Sequence, residues 1–299
     1  MTAVTVNQAQ PHSAAGPCGT AGGGAHTPVH RHKHGASCKA CACSSLPAEF
    51  KRKTTFAADW WPAIAGTLFG AQKLSRFVAL WAAANDPVVV EGVPELPQGS
   101  PFVLAANHVS GVGHITSMVA AVLKGLGDAH GPIVDEFAVV AGTRLAPRPG
   151  GILQRGWRNI WTWAKARWSY NLIETQMLGE QASAQLMLKW RRKAAKQPTL
   201  LFPEGVPRPL YGPVRPGSGN WLKSMKQPVL PVAVWWHGGA WHVHFGTAIR
   251  WSEKSELHDL QLGLAIADLM PRQMLSREWL SYLQRRERLR MADEKGSAA

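Results

Sequence analysis

The chain has 299 residues, 45% of them hydrophobic and 17% charged, and Lys+Arg outnumber Asp+Glu by 33 to 19, a formal net charge of +14. Its length suits one large domain or two small ones with a full core, and its apolar content excludes a wholly disordered chain. All four Cys fall between positions 18 and 43, which excludes a disulfide scaffold and fits a reducing compartment, and no apolar run of about 18 residues marks a standard spanning helix.

Residues 1–46 are rich in Ala, Gly, Ser, His and Pro and read as a disordered tail. They have neither the basic start nor the apolar stretch of a secretory signal. Within them His30-Arg31-His32-Lys33-His34 precedes Cys38-x-x-Cys41-x-Cys43. Imidazole and thiolate are good zinc ligands, but no second pair at finger spacing follows and no apolar frame surrounds them. A metal site, an inert tail and lipidated cysteines all stay open here, and no metal ligands are assigned.

Over 47–85 the character changes. Phe56, Trp60, Ile64, Leu68, Phe77 and Trp81 recur near helical spacing, Pro62 can start a helix, and from 55 to 85 only Asp59, Lys73 and Arg76 are charged. The stretch reads either as a membrane-contacting helical region or as helices buried in a core.

From 86 to 270 short apolar strands alternate with helices. Strands are predicted at 87–91, 102–106, 137–140, 199–202, 229–234 and 242–245. Helices are predicted up to Leu123 and over Ala182–Ala195. This is an α/β pattern, a mixed and mostly parallel sheet flanked by helices. Residues 271–299 close the chain with a basic amphipathic helix and tail; Arg272–Arg290 holds six Arg and two Glu.

The positive charge is local. Arg144–Lys226 contains fifteen Lys/Arg against Glu174, Glu180 and Glu204, a net of +12, together with six Trp. Basic and Trp side chains together suit a lipid headgroup layer. No RNA-recognition, helix-turn-helix or zinc-finger signature accompanies them, and nucleic acid is not an expected partner.

Two positions carry chemistry. His108 follows a buried strand, where ligands of α/β sheets sit, and an imidazole with an ordinary pKa of about 6.5 can act as a general base. Glu204, in Phe202-Pro203-Glu204-Gly205, also follows a buried strand. It can orient an acceptor hydroxyl or a neighbouring Arg, or it can cap backbone N–H groups of its own turn.

Asn107-His108-x-Ser110, then Phe202-Pro203-Glu204-Gly205, then Leu230-Pro231-Val232-Ala233-Val234 resemble, in order and spacing, the blocks of the glycerolipid acyltransferase family, which includes 1-acylglycerol-3-phosphate acyltransferase. The resemblance covers about residues 85–250. It implies that His108 deprotonates an acceptor hydroxyl, which attacks an acyl thioester. Asn107, Ser110, Phe202, Pro203, Glu204, Gly205 and Arg208 then belong to substrate binding, with Arg208 one position late for the family's phosphate-binding Arg. It implies no cofactor, acyl-CoA or acyl carrier protein as co-substrate, and a lysophospholipid or related lipid as acceptor. It places the chain on the cytoplasmic face of the cell membrane, peripheral or monotopic. Thioester transfer to an alcohol needs a base and a seat for the oxyanion.

The sequence departs from the family twice. The Asp expected five residues after the His is Gly113, with Asp128, Asp135 and Glu136 as possible stand-ins. At 170–175 the expected final Arg is Thr175, with Arg155, Arg158 or Arg215 available for a phosphate. These departures keep a second reading alive: a catalytically inactive lipid-binding protein on the same fold.

Overall fold

The computed structural model describes residues 45–61, 73–92, 95–97, 101–142, 172–175, 184–205 and 207–297. The His/Cys cluster, residues 62–72 and most of the Trp-rich basic stretch, including Arg155 and Arg158, lie outside the described residues. The described residues belong to one compact unit.

Seven strands make one sheet: β1 (Val88–Glu91), β2 (Val103–Ala106), β3 (Ala138–Gly142), β4 (Leu172–Thr175), β5 (Thr199–Leu201), β6 (Val229–His237) and β7 (Ala240–Phe245). Their order is β1-β7-β6-β2-β5-β3-β4. All neighbours run parallel except β6 and β7. That pair is a hairpin closed by Gly238-Gly239, both at positive φ (59° and 81°), as a primed two-residue turn requires.

The fold is the mixed, mostly parallel α/β sheet that the sequence predicts. Every residue of central β2 is buried, the unbroken apolar run of a strand covered on both faces. Pro231 is tolerated inside β6 because its carbonyl faces β7 and accepts the Gly246 N–H (2.9 Å) just past the end of β7. The N–H that proline lacks would point to the same side, where no further β7 residue pairs with it.

Helices cover both faces. α1 (Leu74–Ala84) and α2 (Ile115–His130) pack on each other, and α2 lies over β1, β6 and β7. Gly125 permits the approach, since a Cβ there would meet Val90 at 3.0 Å. α3 (Ala184–Ala194) adjoins β4, and α4 (Ser218–Ser224) packs on α5 (His258–Ala267). Leu269, just after α5, reaches the opposite face, with its carbonyl 3.3 Å from His244 Nδ1. α6 (Arg277–Ser297) buries Trp279 and Leu283.

The N-terminal residues join this core. Leu46, at the end of the expected tail, is buried, as are Phe50, Ala58, Phe77, Val78 and Trp81. Trp61 and Leu80 are exposed. Among the described residues no helix is long and apolar enough to cross a membrane.

Candidate active site

β2 and β5 are parallel neighbours, so the chains leaving their C-terminal ends emerge side by side. The Asn107–Ser110 turn leaves β2, and the Phe202–Gly205 turn leaves β5. Asn107 ends the first strand in a defined way. Its side chain is fully buried and replaces the next rung of the ladder: Nδ2 donates to Val234 O (3.0 Å), and Val234 N–H donates to Oδ1 (2.6 Å). The main chain of His108 can then turn out of the sheet.

The second turn closes by Gly205 N–H donating to Phe202 O (3.1 Å), with Gly205 at φ +71°, a conformation glycine adopts without strain. The two segments then zip together. Arg208 N–H donates to His108 O (3.2 Å), and Ser110 N–H donates to Arg208 O (2.6 Å). The His108 imidazole is half-buried, with its ring centroid 5.2 Å from that of Phe202.

Glu204 is the hinge of the arrangement. It is 3% exposed. One carboxylate oxygen accepts the His108 N–H and the other accepts the Gly212 N–H (3.2 Å). Burial pushes its pKa up to about 7, against the smaller lowering effects of those two N–H groups and of the Arg208 charge. Glu204 binds backbone N–H groups of two other segments and none of its own turn, and it grips the main chain of His108. Beside it Tyr211 is fully buried and donates to Gly263 O (3.3 Å). Burial and the Glu204 charge push its phenol well above the usual range.

Two exposed guanidiniums flank this centre. A Cβ on Gly212 would lie 2.7 Å from Arg208 Nη1, so Gly212 makes room for that side chain. Arg215 lies along Gly205, its Cδ 3.6 Å from where a Cβ would stand. Its N–H donates to Pro203 O (2.8 Å), which also accepts from the Ser218 hydroxyl (3.4 Å). Asp259 holds the same loop by accepting from Gly217 N–H (2.7 Å) and Gly219 N–H (2.6 Å). Among the described residues neither Arg208 nor Arg215 forms an ion pair.

Position 113 has no room for a side chain. Gly113 sits at φ +145°, and a Cβ there would meet the Trp241 ring at 2.8 Å. The stand-ins suggested by sequence are occupied elsewhere. Asp128 pairs with Lys124 (2.5 Å) near the far end of α2, on the order of 20 Å along the helix from the His108 loop at ~1.5 Å per residue. Asp135, beyond that end, accepts from Ser75 N–H (2.8 Å) and the Ser75 hydroxyl (2.9 Å). Glu136 is exposed beside it.

Gly212 and Trp241, which shape the room around Arg208 and Gly113, carry no sequence signal, and the buried pair Arg52–Asp59 lies beside Gly113. Only Asp59 carried a signal, as the single acid in an apolar stretch. Among the described residues no group of three His, Cys, Asp or Glu is placed to hold a metal ion.

No family model matches the sequence, and no curated protein matches it. Among solved structures, the chain is similar to the 1-acyl-sn-glycerophosphate (LPA) acyltransferase PlsC from Thermotoga maritima. Identity is 16% and the TM-score 0.40, over 69% of this chain and 86% of that one. A likeness of this size assigns no activity.

Proposed function

We propose that the chain is a membrane-surface O-acyltransferase that moves a fatty acyl group from acyl-CoA or acyl carrier protein to a hydroxyl of a lysophospholipid or related lipid. The observation that carries the reading is the clamp between the two turns. Glu204 and Arg208 hold the main chain on both sides of the His108 Cα and leave its half-buried imidazole at the strand end.

In this reading His108 takes the proton of the acceptor hydroxyl as the oxygen attacks the thioester carbonyl. The tetrahedral intermediate collapses with cleavage of the C–S bond, and the imidazolium returns its proton to the leaving thiolate. Arg208 and Arg215 receive an anionic group of a substrate, such as a phosphate. Exposed Trp61 and Leu80, with the basic excess of the chain, suit a lipid interface.

Gly113 favours one second reading. A loop with no acid at that position fits a lipid-binding protein without turnover. A labelled long-chain thioester incubated with total lipid extract separates the two. The enzyme yields a labelled lipid with wild type and none with His108→Ala. Lipid binding with no wild-type turnover selects the second reading.

A further inference from the structure

The strongest unexplained feature lies on the other end of the His108 loop. Arg52 and Asp59 form an ion pair (Nη1 to Oδ1, 2.6 Å) whose side chains are 7% and 0% exposed. Every polar group in it has a partner. Arg52 Nη2 donates to Asn85 Oδ1 (2.6 Å), and Nε lies 3.6 Å from Asp86 Oδ2. Asp59 accepts from Thr55 N–H (2.7 Å) and the Ser117 hydroxyl (2.6 Å) besides Arg52. Its carbonyl accepts from the Thr116 hydroxyl (3.1 Å).

Burying two charges is expensive, and well-packed apolar side chains often stabilise a fold as well. The pair lies within one segment, and its remaining hydrogen bonds reach two others, at Asn85 and at Thr116 and Ser117. This pair registers the N-terminal segment against the loop that carries His108. Arg52 N–H donates to Gly111 O (2.9 Å), and Leu46 reaches within 3.2 Å of where a Gly111 Cβ would stand. The Arg52 guanidinium stands 5.4 Å from the Trp241 ring centroid and 3.6 Å from where a Gly113 Cβ would be. Thr116 and Ser117, on the first turn of α2, bind Asp59 directly.

We infer that the Arg52–Asp59 pair is a positioning device for His108. Glu204 and Arg208 hold the loop at 108–110, and the pair holds it at 111–117. Gly113 contributes no side chain of its own, so an acid from about fifty residues upstream orders that half of the loop. The inference rests on His108 as the reacting base, and it makes residues 46–59 part of the site.

The test uses the full chain, with two variants and two readouts. Ser117→Ala removes one outer hydrogen bond to Asp59 and keeps the ion pair; Asp59→Asn removes the charge. The readouts are steady-state acyl transfer and the ring NMR signals of labelled histidine, with His108 assigned by their loss in His108→Gln. Asp59→Asn should lower kcat about tenfold with KM within about twofold, inside the ~100-fold that an ångström of misplacement can cost. Ser117→Ala should lower kcat about threefold, and both should shift the His108 ring signals. Folded variants with wild-type kcat and unmoved His108 signals would overturn the inference. If Asp59→Asn does not fold, Ser117→Ala decides. If wild type transfers no acyl group, the function reading fails, while the ring signals still decide the positioning.

Discussion

Two buried carboxylates grip one loop, and they meet their burial in different ways. Asp59 has a guanidinium in contact and two further donors. Glu204 has no cation in contact among the described residues, only two backbone N–H groups, and its pKa is pushed up to about 7. The first is a charge neutralised by its partner. The second is a carboxyl that holds its proton across most of the acidic range. Similar burial therefore gives one half of the loop an ion pair and the other half a titrating clamp.

The largest effect is expected at Arg52. Arg52→Ala leaves Asp59 buried without its cation, and chemical denaturation should show a loss of about 3–5 kcal/mol. A loss below 1 kcal/mol would mean that the pair contributes little.

Glu204 sharpens the contrast through pH. Its folded pKa lies above the unfolded value, so its contribution is fully present below about pH 4.5. It is lost as pH rises toward 7, because the unfolded chain then binds fewer protons than the folded one. The stability of wild type minus that of Glu204→Gln should fall by on the order of 3 kcal/mol between those limits. A flat difference in urea unfolding across that window would contradict the assignment.

Gly113→Asp addresses the loop between the two acids. The positive φ and the Trp241 ring together should make it cost about 1–3 kcal/mol in thermal or chemical unfolding, with no gain in transfer rate. The smallest effect is expected at Gly212. Gly212→Ala displaces only the end of the Arg208 side chain, so stability should change by less than about 1 kcal/mol. The KM for a phosphate-bearing acceptor should rise severalfold in steady-state assays.

Much of this was legible in the sequence, for reasons that differ from element to element. Five of the seven strands are short apolar runs bounded by polar or turn residues, and β7 shows instead the period-two alternation of His242-Val243-His244-Phe245. β4 was missed because Leu172–Thr175 is four residues beside a Trp-rich basic stretch. α5 carries apolar residues at 260, 262, 264 and 266, the period of a strand. Tertiary packing overrides that pattern, with Gly263 admitting the Trp279 ring. α4 opens on Gly217-Ser218-Gly219, residues typical of a turn. It is seven residues long, and its start is held by Asp259, forty residues away.

The site divides the same way. His108 and Glu204 were visible because each follows a buried strand, and adjacent parallel strands bring those ends together. The role of Glu204 was not decidable from its neighbours alone, since Gly212 supplies half of what binds it. The Arg52–Asp59 pair had no local signature. Hydrogen bonds from the pair to a loop more than fifty residues on leave no spacing to read, and only the isolation of Asp59 in an apolar stretch hinted that it was bound.

In the proposed function, His108 drives transfer of an acyl group to a lipid hydroxyl. The most direct measurement is thiol release from a long-chain acyl-CoA or acyl carrier protein thioester, with and without lysophospholipid, for wild type and His108→Gln. Fast release is expected from wild type only when the hydroxyl acceptor is present, and background release from the variant. Equal release by the two proteins, or release by wild type that ignores the acceptor, would contradict it.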